Sequence, residues 1–158
     1  MDRICIKGYK SFKELDINLN KINVLIGSNG SGKSNFLSFF EFLNRLYEQN
    51  LNEFVALNGG MDKILHKGSK VTENINANIY FDQDTYSFTV KKGDDNFVFL
   101  NEQLEFNGRK VEINALKSEA QIKYHTDLER GDFIKKYLTD IKKYHFHDTG
   151  KNSPFAKD

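Results

Sequence analysis

One glycine-rich stretch, residues 27–34, constrains the fold of this chain more than any other feature. It reads GSNGSGKS and matches the pattern G-x-x-x-x-G-K-[ST] in full. Glycines let the backbone curl so that successive N–H groups face phosphate oxygens, and the following helix adds its positive N-terminal end. In such a loop Lys33 contacts the β- and γ-phosphates of a nucleotide, and the Ser34 hydroxyl is a Mg²⁺ ligand. This stretch, hereafter the phosphate loop, predicts a strand–loop–helix unit that binds a nucleotide.

The sequence on both sides of the phosphate loop fits this prediction. Val24, Leu25 and Ile26 form a continuous apolar run, which predicts a strand buried on both faces, as in the centre of a parallel sheet. Apolar residues then recur at steps of three and four, which predicts an amphipathic helix over residues 33–49. The alternative, a glycine-rich turn that binds nothing, is disfavoured because the motif has the flanking elements it requires.

Alternating apolar and polar residues dominate most of the remaining sequence. Residues 3–7 and 14–19 show this alternation and predict two half-buried strands, joined by GYKSF. Residues 74–113 repeat it, with a hairpin signal at Asn107-Gly108, and predict a β-meander with one apolar face. We therefore expect an α/β fold in which a strand–loop–helix unit joins an antiparallel subdomain.

The rest of the chain is predicted to be helical and loop-rich. Residues 116–142 favour helix, with a break at Gly131, and KKYHFHD favours a final strand. We expect a single lobe with three parts: the loop-bearing strands and first helix over 1–50, a loop with the meander over 51–115, and a helical segment with the final strand over 116–158.

Composition excludes several classes of protein. The net charge is +1 with 28% charged residues, which gives no electrostatic case for nucleic acid or a membrane surface. The single Cys5 excludes an internal disulfide. No apolar run approaches the ~20 residues needed to cross a bilayer, and the N-terminus lacks the apolar core of a secretory signal. We expect a cytoplasmic protein.

Hydrolysis of a nucleotide also requires an acidic residue that holds Mg²⁺ and a group that positions water. In P-loop enzymes this acid commonly ends a second buried strand, and Asp82, after Ile79-Tyr80-Phe81, is the nearest match. Its strand alternates with asparagines, so we expect it to be half exposed. We therefore reject Asp82 as the Mg²⁺ ligand.

At this point the sequence resembles a known family. The segments ICIKGYKSFKELDINL and INVLIGSNGSGKSNFL resemble the start of SMC-, RecF- and OLD-like ABC ATPases. The DKILHKG loop, the meander and YHFHDTG…SPFAK resemble a narrower group, the bacterial ATPases of the AAA_21 type, many of them encoded beside defence genes. The resemblance covers essentially the whole chain. It implies the N-terminal lobe of an ABC-type head, in which two heads sandwich two ATP molecules.

The resemblance also assigns site residues. It places Lys33 in catalysis and Ser34 on Mg²⁺, and it implies a phosphate lining made of Asn29, Gly30, Ser31, Gly32, Lys33, Ser34 and Asn35. Near the nucleotide it places Lys10, Ser11, Phe12 and Lys13. The segment 144–149 corresponds to the glutamine-bearing loop of ABC heads but contains no Gln, so Asp148 is the candidate there.

Relatives continue with a signature motif, a Mg²⁺-acid strand and a switch histidine, whereas this sequence ends at Asp158. The stretch LNGGM, residues 57–61, imitates the LSGGQ signature but is predicted to be a flexible loop. We therefore expect a lobe that binds Mg-ATP and hydrolyses it only with a C-terminal lobe and head dimerisation. The partner is a second copy or a chain that supplies the signature, and the process is DNA maintenance or anti-phage defence.

Two other functions stay open. A small P-loop phosphotransferase would need an arginine-bearing lid after the first helix, but the chain has only Arg3, Arg45, Arg109 and Arg130. A non-enzymatic nucleotide-sensing or subunit-binding module would need no further machinery.

Two smaller motifs have alternative interpretations. His145, His147 and Asp148 could hold a metal, although a polar strand end is favoured. His66-Lys67-Gly68 is either an anion-binding loop or a turn, and we favour the turn.

Overall fold

The computed structural model describes residues 1–94, 96–114, 116–125 and 131–142. Its centre is a six-stranded antiparallel sheet with the order β2-β1-β3-β4-β5-β6. The strands are β1 Arg3–Tyr9, β2 Phe12–Asn18, β3 Asn74–Phe81, β4 Asp84–Lys92, β5 Phe97–Phe106 and β6 Arg109–Asn114. The helices are α1 Lys33–Tyr47, α2 Leu51–Leu57, α3 Met61–Ile64 and α4 Gly131–Thr139, with a 3-10 turn at Ile122–Tyr124.

The strands form where the sequence alternates. In β3 the side chains of Ile75, Ala77 and Ile79 are buried while their neighbours are half-buried. Asn107 and Gly108 have φ angles of 49° and 78°, the left-handed pair that closes a tight hairpin. The first two strands and the β-meander are therefore confirmed.

The helix after the phosphate loop is confirmed and packs its apolar stripe on the sheet. Phe39, Phe42, Leu43 and Leu46 of α1 are fully buried, and the Phe42 ring lies 6.1 Å from that of Phe88 in β4. This spacing puts one face of α1 in the core. Helix α2, which follows after a short turn, was not predicted. In the described part of the chain, no helix combines the length and the apolar character required to cross a bilayer.

The apolar run before the phosphate loop differs from its prediction. Residues 23–28 form no strand, and the side chains of Val24 and Ile26 are 76% and 90% exposed. Leu25 is less exposed, at 36%, and it lines a groove with Phe36 and Phe40 of α1. The prediction of a strand buried on both faces is wrong for this structure. Burial of a central strand requires a neighbouring strand on each side, and the six described strands pair with one another instead.

A buried carboxylate anchors the segment that leads toward α4. Glu102 of β5 is fully buried, and it accepts hydrogen bonds from the Tyr86 hydroxyl at 2.8 Å and the backbone N–H groups of Gln121 and Ile122 at 2.7 and 3.1 Å. These bonds satisfy the desolvated carboxylate, which would otherwise be costly to bury.

The C-terminal prediction is correct only in part. Residues 116–125 contain a single 3-10 turn rather than a long helix, and α4 extends over Gly131–Thr139. The local pattern missed this because Glu102 holds the backbone of 121–122 through non-local bonds. The predicted final strand lies outside the described residues except for Lys142, and so do His145, His147 and Asp148.

Candidate functional site

The phosphate loop lies at the N-terminus of α1. Gly30 and Gly32 have φ angles of 82° and 94°, a conformation that glycine adopts without a steric penalty. Gly32 is the N-cap of α1, and its carbonyl accepts the first helical hydrogen bond, from Phe36 N–H at 2.9 Å. Left-handed turns next to a helix N-terminus gather backbone N–H groups, which is the arrangement that binds anions.

Lys33 folds back over the loop. Its Nζ donates to the carbonyl oxygens of Gly27 and Ser28, both at 2.7 Å, and to Ser31 Oγ at 3.2 Å. The ammonium is therefore held at the loop by neutral acceptors. A phosphate would offer charged acceptors to the same ammonium, and such charge-assisted bonds are stronger.

Two glycines of the loop lie close to neighbouring side chains. A Cβ on Gly27 would lie 2.7 Å from Ser31 Oγ. A Cβ on Gly32 would lie 3.1 Å from the Phe12 ring and 3.2 Å from Ser11 Oγ. The second contact places the turn between β1 and β2 directly against the start of α1.

A buried pair of hydroxyls fixes this relationship. Tyr9, the last residue of β1, places its hydroxyl 2.9 Å from Oγ of Ser38 in α1. Ser38 Oγ also lies 2.9 Å from the carbonyl of Asn35, to which it donates. Burial raises the pKa of the Tyr9 phenol, so it stays protonated and can donate to Ser38.

The β1–β2 turn is also joined to the segment after α3. Lys10 has a φ of 44°, which is uncommon for a residue with a side chain. Its N–H donates to Ile64 O at 2.7 Å, and its carbonyl lies 2.9 Å from Nδ1 of His66. His66 N–H donates in turn to Gly8 O at 2.9 Å. The HKG stretch is thus a turn, as favoured from the sequence, and it holds Lys10 in place.

A cleft of about 620 Å³ opens beside the phosphate loop at this junction. We call it the lysine cleft. Its polar lining includes Lys10, Ser11, Asn35, Asn58, Lys63 and Lys67. The structure therefore brings together Lys10, Ser11 and Asn35, which the resemblance placed near the nucleotide, whereas Lys13 lies exposed on β2.

Sequence reasoning missed Asn58 and Lys63, and it considered Lys67 only as part of an anion-binding loop or a turn, with the turn favoured. They come from the end of α2, from α3 and from the HKG turn, and only the fold gathers them around one cleft. The available signal was the spacing of lysines in DKILHKG, but periodicity alone does not say what such lysines face.

Asp82 lies away from this site, which agrees with its rejection as a Mg²⁺ ligand. It lies in the β3–β4 turn, and its N–H donates to Asp2 Oδ2 at 2.5 Å, just before β1. Lys10 lies at the other end of β1, and a strand of this length spans roughly 20 Å.

The LNGGM stretch forms the turn between α2 and α3. Gly59 and Gly60 have φ angles of 84° and 88°, and only the short α3 follows them. This arrangement agrees with the prediction of a loop in place of a signature motif.

Comparison with known proteins identifies the family. The family model AAA_15, an AAA ATPase domain, matches residues 1–157. Structural maintenance of chromosomes protein 3 of Arabidopsis thaliana is 33% identical over 94 residues, which are 57% of this chain. The match spans only 7% of the length of that relative. The expected resemblance to SMC/RecF-like ATPases is confirmed, and the chain belongs to the AAA ATPase domain family.

Proposed function

We propose that this chain is the ATP-binding lobe of an SMC/RecF/OLD-like ATPase. The observation that carries the proposal is the position of Lys33, whose ammonium lies over a glycine loop at the N-terminus of α1. Loop amides, a helix N-terminus and a lysine together form a site for a polyphosphate. Membership of the AAA ATPase domain family supports ATP as the nucleotide.

The residues fit Mg-ATP. Gly30 and Gly32 have left-handed backbone conformations and carry no side chain, so a phosphate can contact the loop backbone at both positions. Ser34 is exposed in the first turn of α1, where its hydroxyl can be a Mg²⁺ ligand. Bound Mg²⁺ supplies a charge that neutralises the β- and γ-phosphates.

Each residue has a distinct part in holding this ligand. Lys33 neutralises the charge on the phosphates, and this is its role in catalysis. The phosphate lining comprises Asn29, Gly30, Ser31, Gly32, Lys33, Ser34 and Asn35, and Lys10 and Ser11 flank it. Ser11 lies against the loop, because a Cβ on Gly32 would be only 3.2 Å from Ser11 Oγ.

Hydrolysis in this proposal requires a C-terminal lobe and head dimerisation. In the segment before the loop, the side chains of Ile22, Val24 and Ile26 are 83%, 76% and 90% exposed. Three large apolar side chains at alternate positions are the pattern of a strand face that another layer covers. A C-terminal lobe that adds strands here would also bring the Mg²⁺ acid and the water-positioning group to the phosphate loop.

The signature motif comes from a second head in this proposal, either another copy or a partner chain. DNA maintenance and anti-phage defence are the processes that the resemblance suggests. The exposed apolar segment also favours a second candidate, a non-enzymatic nucleotide-sensing module that binds another subunit through the same face.

Measurement of ATP turnover by the purified chain tests whether hydrolysis requires a second lobe. We expect the chain to bind Mg-ATP and to release phosphate no faster than its Lys33→Ala variant. Phosphate release that depends on Lys33 in the isolated chain would contradict the need for a second lobe. Transfer of phosphate to a small acceptor would instead support a phosphotransferase.

A further inference from the structure

Three lysines and one carboxylate line the lysine cleft, namely Lys10, Lys63, Lys67 and Asp62. Lys63 and Lys67 are exposed at its wall. Counting only contacts among described residues, neither side chain has a hydrogen-bond or ion-pair partner. Like charges near one cavity repel each other, so this arrangement favours an anionic ligand.

The acidic residue of the cleft wall is already paired. Asp62 Oδ1 accepts the Ser69 N–H at 3.0 Å, and Asp62 Oδ2 lies 3.3 Å from Lys92 Nζ. Contacts with Ser69 and then Lys92 lower the pKa of Asp62 to about 2, so it is ionised and stabilised by these groups. In the described part of the chain, its carboxylate oxygens contact Ser69 and Lys92 and form no hydrogen bond or ion pair with Lys63 or Lys67.

Lys10 is positioned more firmly than a surface lysine. Its left-handed backbone is fixed from both sides, by Ile64 O on its N–H and by His66 Nδ1 at its carbonyl. Its Nζ donates to Asn58 Oδ1 at 3.0 Å and lies 5.8 Å from the centre of the Phe54 ring. An uncommon backbone conformation that several contacts impose is a frequent feature of binding sites.

We propose that the lysine cleft binds a phosphate group in addition to the phosphates held by the phosphate loop. Lys10, Lys63 and Lys67 supply ammonium donors around a cavity of about 620 Å³, which is the size of a small-molecule site. A phosphate offers several charged acceptor oxygens, which suits separate ammonium donors. The phosphate belongs either to the nucleotide in the loop or to a separate small phosphorylated molecule. Binding of a phosphate in the cleft does not itself depend on the proposed ATPase function, whereas the nucleotide as its source rests on that function.

Calorimetric titration with pyrophosphate tests the cleft in Lys33→Ala protein, in which the phosphate loop is impaired. We expect saturable binding that weakens about tenfold when Lys63→Gln and Lys67→Gln are added. The matched control adds Lys70→Gln and Lys91→Gln, which remove the same charge from exposed positions outside the cleft lining, and it should leave the affinity unchanged. The proposal would be overturned if pyrophosphate showed no saturable binding, or if the cleft pair and the control pair of substitutions weakened its binding equally.

Binding measurements on protein that retains Lys33 show which molecule supplies the phosphate. If the nucleotide supplies it, Lys63→Gln with Lys67→Gln weakens ATP binding about tenfold, and ATP-saturated protein binds no pyrophosphate. If a separate molecule supplies it, ATP affinity is unchanged and ATP-saturated protein still binds pyrophosphate. Failure of the proposed function has a different readout, which is unchanged ATP affinity in the Lys33→Ala variant.

Discussion

The hydroxyl of Tyr9 donates a hydrogen bond to Oγ of Ser38, 2.9 Å away, and so joins the end of β1 to the second turn of α1. The direction follows from Ser38, whose single hydroxyl proton is donated to Asn35 O. Because β1 leads into the turn at Lys10 and α1 begins at the phosphate loop, this bond fixes one side of the site against the other.

Removal of this bond should destabilise the fold modestly. Tyr9→Phe deletes a buried donor and keeps the ring, which lies 5.2 and 5.5 Å from the rings of Phe39 and Phe42. We expect the free energy of unfolding in urea to fall by about 1 kcal/mol. Tyr124→Phe, at an exposed position, is the control and should change nothing measurable. Equal effects of the two substitutions would show that the Tyr9 bond contributes no stability.

The two left-handed glycines of the phosphate loop should respond differently to alanine. The Cβ added by Gly30→Ala would have no atom within 4 Å, so this variant should lose only the backbone penalty of a left-handed alanine, about 1 kcal/mol of unfolding free energy. Gly32→Ala adds close contacts with Phe12 and Ser11, and we expect it to cost at least ~1 kcal/mol more. Thermal unfolding of both variants measures the difference. Equal losses would contradict the close approach of the β1–β2 turn to α1.

The segment before the phosphate loop should tolerate polar substitution in the isolated chain. Ile26→Thr replaces an exposed side chain, so the free energy of unfolding should change by no more than about 0.5 kcal/mol. Ile79→Thr makes the same replacement at a fully buried position of β3 and should cost about 2 kcal/mol or more. A comparable loss at Ile26 would mean that this segment is a buried strand after all.

The Asp62 carboxyl gives a prediction about pH. Its pKa of about 2, lowered from 3.8 first by Ser69 and then by Lys92, means that folding favours the ionised form. Its contribution to stability is therefore complete above pH 3.8 and is lost as the pH falls toward 2. A titration of the Asp62 carboxyl carbon by NMR should show the low midpoint. Ser69→Ala should raise it, because this change removes the side-chain hydroxyl that lowers the pKa most and keeps only the backbone N–H. A midpoint near 3.8 in both proteins would refute the Ser69 contact.

Periodicity was sufficient to predict the elements that bury one face. Alternation predicted β1 and the meander because these strands bury alternate side chains, and the three–four spacing predicted α1. Val24 and Ile26 show the limit of this reasoning. An apolar run indicates that a segment can be buried, but its burial depends on strands that no local pattern supplies.

The candidate site was predictable at the phosphate loop and not beyond it. The loop is a contiguous motif, so its spacing alone indicates the phosphate chemistry. The lysine cleft depends instead on contacts across the chain, such as His66 with the Lys10 carbonyl and Lys10 with Asn58. Pairs separated by about fifty residues leave no periodic signal, so the fold was needed to find them.

The affinity for Mg-ATP of the parent chain and of Lys33→Ala tests the central claim most directly. Lys21→Ala, which removes the same charge from an exposed position before the loop, is the matched control. We predict that the parent and Lys21→Ala bind Mg-ATP with the same affinity, and that Lys33→Ala binds it at least about tenfold more weakly because a charge-assisted contact with phosphate is lost. A Lys33→Ala protein that binds Mg-ATP as tightly as the parent would contradict the assignment of the phosphate loop as the nucleotide site.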